Sequence, residues 1–286
     1  MDRNAVFVDN RDRLFRLAYR MLGSVAEAED VVQESWIRWQ RASDVSAPRS
    51  YLDRIVTRLC IDQLRAATRA RQAYVGPWLP EPIVASEEAG PEALHGRRET
   101  LALGFLALLE RLTPLERAVY VLREALDYDY DSIAAIVDKK AANCRQLYHR
   151  ACKHLSDGKV RSDVDYEAAR AKVEQLLAAI GAADVRMLER LLAEDAVICT
   201  DGGGRVRAAL KPVRGAASVA RFIVGVTRKA PADEIRIALV NGSPGLVAYT
   251  DGRPVAVLGV SSSGGRIDAI YAVLNPAKLG GVPALC

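Results

Sequence analysis

The sequence predicts a multidomain chain in which two all-α domains precede an α+β domain. Three observations carry this. At 286 residues the chain is long enough for more than one core. Up to about residue 156 its apolar residues recur at helical spacing behind helix-start signals, whereas from Asp163 onward short β-branched runs alternate with Asn-Gly, Asp-Gly and Gly-Gly turns. The stretch YVGPWLPEPIV, Tyr74 to Val84, matches neither pattern: it is apolar, stiffened by three prolines, and carries one charge.

In chain order, RLFRLAYRML places Leu14, Leu17, Ala18 and Met21 on one helical face. GSVAEAEDVVQESWIRWQRA opens with Ser24 and Glu27 in the S-x-x-E arrangement of a capping box, and Val31, Val32, Trp36 and Trp39 follow among polar residues. After the loop ASDVSAPRS a further helix runs from about Ser50 to Ala73. Beyond the proline segment, ETLALGFLALLERL is helical, and Thr113, Pro114 and Glu116 mark the start of the next helix. DYDSIAAIV is short. DKK turns, with Asp138 able to adopt the left-handed conformation. AANCRQLYHRACKHL then sets Cys144, Leu147, Ala151 and Leu155 at core spacing. Short helix, tight turn and basic helix is the helix-turn-helix order.

The last part begins with two helices, DYEAARAKVEQLLAAI and DVRMLERLLAED. AVICTDGGGRVRAAL reads as strand, glycine turn, strand, and SVARFIVGVTRK as a helix. EIRIALVNG, GLVAYTDG, PVAVLGVSS and RIDAIYAVLN read as an antiparallel series. The domains implied are 1–75, a linker over 76–99, 100–160 and 161–286.

Composition narrows the class. Half the residues are apolar and 27% charged, a globular profile. No apolar run approaches the ~18 residues of a membrane helix, and charges occupy the N-terminus where a signal peptide has its apolar core, so a cytoplasmic protein is expected. Five widely spaced cysteines suit reduced thiols. Cys144, His149 and Cys152 could share a helical face, but with no fourth ligand they read as core thiols rather than a metal site; no metal or cofactor is expected. Charge is segregated. Arg49 to Arg71 holds six arginines against two aspartates, Lys139 to Arg161 holds seven Lys or Arg, and Glu81 to Glu99 between them holds five Glu against two Arg. Two basic helices around an acidic connector point to nucleic acid.

On the second basic helix Arg145, Gln146, His149, Arg150 and Lys153 lie on or beside one stripe, with Lys139 and Lys140 in the turn before it, residue types that reach base edges and phosphates from the major groove. On the first, Arg54, Arg58, Arg65, Arg69 and Arg71 suit planar contacts to phosphate and stacking on exposed bases. Arg65 has two readings, an intrahelical pair with Asp62 or a DNA contact.

These residues resemble a family. AEDVVQESW, with Asp30, Gln33 and Glu34, is similar to the D-x-x-Q-E signature of bacterial sigma factors, and the resemblance implies that these three residues bind core RNA polymerase. YLDRIVTRLCIDQLR resembles the promoter-melting region, with Asp62 and Arg65 matching its D-x-x-R ending. LTPLERAVYVLREALDYDYDSIAAIV and the helix after it resemble the domain that reads the −35 promoter element. The absence of other sigma domains between them implies the extracytoplasmic-function (ECF) group. WLPEP, TDGGG and LNPAKL resemble the markers of its SigJ-like subgroup, which carries a SnoaL-like C-terminal extension. The fold then implied is a region 2 helical bundle, a region 4 helix-turn-helix and a SnoaL/NTF2-like cone-shaped α+β domain. The implied function is transcription initiation from promoter DNA at its −10 and −35 elements.

SnoaL-like folds include enzymes, so Asp201, Tyr249, Asp251 and Tyr271 are candidates for an acid–base site. The domain has no histidine, however, and both aspartates sit in Asp-Gly turns, where the side chain commonly caps its own backbone. A non-enzymatic, regulatory domain is expected, with a small apolar ligand as a conceivable signal. Gly202, Gly203 and Gly204 allow close backbone approach or simply form a turn. Trp78, Leu79, Pro80, Glu81 and Pro82, with Asp201, Asn275 and Pro276, are the candidate contacts through which the proline segment docks on the C-terminal domain rather than acting as a tether.

Overall fold

The computed structural model of the chain describes residues 2–43, 45–85, 102–156 and 166–285, the side chains of 68–72 excepted. It divides into two compact units that do not follow chain order: Met1–Ala73 with Leu108–Gly158, and Tyr74–Ala107 with Lys159–Cys286.

In the first unit α1 (Arg3–Leu22), α2 (Val25–Gln40) and α3 (Pro48–Gln72) pack on one another. Leu14, Leu17, Ala18 and Met21 are at most 1% exposed. Gly23 ends α1 in the left-handed conformation, and the Ser24 hydroxyl accepts the Glu27 N–H to start α2. Trp39 is buried because its indole N–H finds the Arg3 carbonyl at 3.0 Å. The unit continues from the end of α4 (Leu103–Leu109) through α5 (Pro114–Leu126), α6 (Tyr130–Val137) and α7 (Ala141–Ser156). Thr113 and Glu116 form a reciprocal capping box. Asp138 closes α6 at φ 56°, ψ 55°, so the turn before α7 is made without glycine.

Two buried charged residues join these helices. Arg117 donates to the carbonyls of Leu109 and Met21 at 3.0 and 2.7 Å and to the Glu110 carboxylate at 2.6 Å. The Met21 carbonyl lies in the last turn of α1, where the helix itself supplies no partner. Asp53 of α3, fully buried, is paired with Arg13 of α1 and accepts the Tyr128 hydroxyl at 2.6 Å from the turn before α6. Burial, followed by the hydrogen bond to Asp53, raises the Tyr128 pKa.

The second unit is built on one seven-stranded sheet in the order β1-β4-β5-β6-β7-β2-β3. The strands are β1 (Val84–Ala85), β2 (Leu192–Asp201), β3 (Val213–Arg214), β4 (Glu234–Val240), β5 (Ser243–Thr250), β6 (Arg253–Ser263) and β7 (Arg266–Val273). Among the described strands only β2 and β7 pair in parallel. The Asn241-Gly242, Asp251-Gly252 and Gly264-Gly265 turns all have both residues at positive φ, matching the right-handed twist of the hairpins they close.

Both faces of the sheet are buried. On one, α8 (Tyr166–Gly181), α9 (Val185–Leu191) and α10 (Ala216–Lys229) cover Leu246, Ile267 and Ile270 with Val173, Leu176 and Ile223. On the other, Leu79, Val84 and Leu103 from the middle of the chain, with Leu279 and Val282 from its end, cover Val247, Val257 and Val273. The start of α4 fits closely there: a methyl group on Gly104 would lie 2.6 Å from the Tyr271 ring. The expected strand after the glycine turn does not form. Gly202 O accepts the N–H groups of both Arg205 and Val206, and Thr200 Oγ1 accepts Ala209 N at 2.8 Å. These bonds hold 202–212 as a loop, leaving only Val213–Arg214 to pair with β2.

Candidate functional site

On α2, Asp30 and Gln33 are exposed and Glu34 partly so, while Ala28, Val31, Val32 and Ser35 turn inward. Spacings of three and four residues put the three polar side chains on one stripe. Ile37 extends it and is 44% exposed. Sequence reasoning missed this residue, although its i+4 relation to Gln33 was available. Glu34 accepts from Arg38 at 2.8 Å.

On α3, Arg54, Arg58 and Arg65 are exposed. The side chains of Arg69 and Arg71 lie outside the described residues. A cavity of about 370 Å³ is lined by Arg38, Arg41, Tyr51, Arg54 and Arg58, with the Arg54 guanidinium 5.3 Å from the centre of the Tyr51 ring. Four guanidiniums beside an aromatic ring can hold a phosphate and stack on a base. Arg58 also donates from Nε to the Ile136 carbonyl at 2.9 Å, at the end of α6. Arg65 pairs with Asp62 at 3.2 Å, an exposed contact that leaves it available to other anions.

On α7, Lys139 and Lys140 at its start and Arg145, Gln146, His149, Arg150 and Lys153 along it are all exposed, while Cys144, Ala151 and Leu155 are buried. Arg145 lies 5.2 Å from the centre of the Tyr130 ring, which presents its guanidinium at the front of the helix. Burial pushes the Cys144 thiol pKa up, as suits a core thiol.

In the second unit the proline segment, the TDGGG motif and the LNPAKL motif converge on Asp201. Its fully buried carboxylate accepts from the Tyr74 hydroxyl at 2.6 Å, Gly203 N at 3.0 Å, Leu79 N at 2.9 Å and Lys278 Nζ at 2.7 Å. Its carbonyl accepts Leu274 N and Asn275 N. Asn275 donates from Nδ2 to the Tyr74 hydroxyl at 2.9 Å and caps the 3₁₀ turn Pro276–Lys278. The Lys278 ammonium stands 3.9 Å from the centre of the Trp78 ring and also donates to the Leu79 carbonyl. Burial and the bond to Asp201 raise the Tyr74 pKa well above the ordinary 10.0.

The glycines are there for space. A methyl group on Gly203, at φ 57°, would meet Asn275 Nδ2 at 2.2 Å, and one on Gly202 would meet the Val206 carbonyl at 2.5 Å. Two residues downstream of Pro82, β1 pairs with β4, and Asn241 exchanges hydrogen bonds with Ile83 through its N–H and its side-chain oxygen. Pro80 and Pro82 are buried, and Pro77, Trp78 and Glu81 are partly exposed. With all its lone-pair directions occupied by four donors, Asp201 has no place for a substrate proton. Asp251 is exposed at φ 50° in its hairpin turn, and Tyr249 and Tyr271 pack in the sheet core.

Comparison with known proteins fits this arrangement. Residues 6–70 match Sigma-70 region 2 and residues 103–155 match Sigma-70, region 4. The chain is 35% identical to the ECF RNA polymerase sigma factor SigJ of Mycobacterium tuberculosis, over 96% of this chain and 92% of that protein. The chain belongs to the ECF sigma factors.

This sigma factor is also 30% identical to the probable ECF RNA polymerase sigma factor SigI of the same species, over 96% of its length and 94% of SigI. The crystal structure of SigJ superposes with a TM-score of 0.81 at 31% identity, covering 98% of this chain and 99% of that one. It is a transcription initiation factor, not an enzyme, and its class acts with core RNA polymerase on promoter DNA. Among the described residues no helix is long and apolar enough to cross a membrane.

Proposed function

We propose that the sigma factor is controlled in cis by its C-terminal α+β unit, and that the Tyr74–Ala85 segment is the control element. The observation that carries this is the Asp201 cluster. Chain that joins the two sigma regions is built into the second unit as an edge strand, part of a sheet core and a ring of hydrogen bonds around one carboxylate. A free linker would let regions 2 and 4 sample many separations, whereas a docked one fixes the chain at both ends of the segment. Prolines 77, 80 and 82 reduce the entropy lost on docking.

In this reading Asp30, Gln33 and Glu34, extended by Ile37, bind core polymerase. Arg54 and Arg58, with Arg65, Arg69 and Arg71 further along α3, engage the melted −10 region. Lys139, Lys140, Arg145, Gln146, His149, Arg150 and Lys153 read the −35 element. The setting is the cytoplasm, where core polymerase works. A small apolar ligand acting as the signal would enter between the helices and the sheet of the second unit. There Leu176, Val219 and Leu246 are 0% exposed, so side chains must part to admit it.

The test is transcription in vitro with core polymerase, comparing the full chain, a chain ending at Val160, and a full-length Leu79→Ser/Lys278→Met variant that loosens the segment. Cis control predicts that both altered proteins support transcription at a level different from the parent. Equal activity of all three refutes it.

A further inference from the structure

From Gly202 to Ala232 the chain contains no acidic residue in 31 positions and seven basic ones: Arg205, Arg207, Lys211, Arg214, Arg221, Arg228 and Lys229. All seven are exposed, and among the described residues none makes an ion pair with a carboxylate. The fold gathers them along one border of the second unit. Arg205, Arg207 and Lys211 lie on the loop that Thr200 clasps at Ala209. Arg214 sits opposite Val197 on β3, the outermost strand of the sheet. The chain turns at Gly215 directly into α10, which packs on β2 and β3 through Val219, Ala220, Ile223 and Val224. Its opposite face carries Ser218, Arg221, Gly225 and Arg228, at spacings of three, four and three residues. The elements packed on α10 and β3 bring Glu167, Glu174, Glu189, Glu194 and Asp195 against Arg170, Lys172, Arg186 and Arg190, a near balance that does not neutralise the seven.

We propose that this border of the C-terminal unit binds the phosphate backbone of duplex DNA, a third DNA contact besides the two sigma regions. Charge density is the first reason. Arg221 and Arg228 are ~10 Å apart along the helix axis, a length over which duplex DNA carries about six phosphates. Side-chain type is the second. Five of the seven are arginines, whose fork matches phosphate oxygens. Shape is the third. Ser218 is small and a methyl group on Gly225 would meet nothing within 4 Å, so the face between the arginines is open to close approach. No aromatic side chain is exposed between Gly202 and Ala232, which argues against single strands, whose capture uses stacking. The exposed apolar residues here, Val206, Leu210 and Val226, are separated in sequence and form no continuous helical stripe.

The test uses the full-length protein and a fluorescein-labelled duplex of mixed sequence without a promoter, with Kd measured by anisotropy over a series of salt concentrations. The variants are Arg221→Gln/Arg228→Gln/Lys229→Gln on α10 and Arg145→Gln/Arg150→Gln on α7, both checked for unchanged melting temperature. The α10 variant is expected to bind several-fold more weakly. The slope of log K against log salt should shrink by ~0.9 for each phosphate that the variant no longer neutralises, additively with the α7 variant. An α10 variant with the parent's Kd and slope overturns the proposal, as does a parent that does not bind the duplex. So does an α10 variant that keeps its DNA affinity but binds core polymerase more weakly, which would assign the border to an acidic protein surface.

Discussion

Replacing Asp201 by Asn changes one atom at the point where four donors meet. The carboxylate accepts Tyr74 and Gly203 on one oxygen and Leu79 and Lys278 on the other. An amide in either orientation sets an NH₂ group against two of those donors. In one orientation they include the Lys278 ammonium, only 12% exposed. Leaving one member of a buried ion pair without its partner costs about 3–5 kcal/mol. For a domain of this size ~1 kcal/mol moves Tm by ~2–4 °C, so the transition of the C-terminal unit should fall by ~6–20 °C. Calorimetry reads the transition directly, and Trp78 fluorescence reports the change locally because the ammonium lies over its ring. Lys278→Met removes the charge while keeping an apolar stem over Trp78. The double variant should therefore lose less than the sum of the two singles, with a coupling of at least ~1 kcal/mol. Asp201→Asn within about 1 kcal/mol of the parent, or an additive cycle, would refute the view that this carboxylate holds the proline segment in place.

Gly203→Ala combines a positive φ with a clash at Asn275, so it should destabilise the same unit by at least ~1 kcal/mol, seen as a lower urea midpoint. Tyr128→Phe leaves the buried Asp53 carboxylate one donor short and should weaken the packing of α6 on α3 by about 1–3 kcal/mol, read as faster amide exchange in α6. Tyr120, raised to about 12 mainly by burial, stays neutral in the folded chain. Its contribution to stability is complete below pH 10, the unfolded value, and is lost as pH climbs through about 12; tyrosinate absorbance should show this late ionisation coinciding with unfolding. Arg145→Ala should weaken −35 duplex binding by ~1–3 kcal/mol and relax base preference at one position, measured by competition with substituted duplexes.

Much of the local structure was legible in the sequence because short-range chemistry settles it. Thr113, Pro114 and Glu116 mark a helix start whatever surrounds them, and Asn241-Gly242, Asp251-Gly252 and Gly264-Gly265 demand hairpins because few other residues tolerate positive φ there. The exposed stripe on α7 followed from period, whereas that on α2 was legible through its likeness to the D-x-x-Q-E signature and without Ile37. The partners of Asp201 followed from neither. Tyr74, Leu79, Gly203 and Lys278 lie up to 204 positions apart, and nothing in their own neighbourhoods indicates that four donors will share one carboxylate. Nor does the sequence tell that Asp53 would meet Arg13 and Tyr128, or that Arg58 would spend a donor on the end of α6. The strand expected after the glycine turn failed for a related reason: its N–H groups bond to the Gly202 carbonyl and the Thr200 side chain rather than to the backbone ladder of β2. By itself the sequence determined most helices, the hairpin turns and the sigma motifs they carry, because periodicity, caps and turns act within a few residues. Only the tertiary structure decided which polar groups are buried together, because desolvation depends on what closes over a group from the other end of the chain.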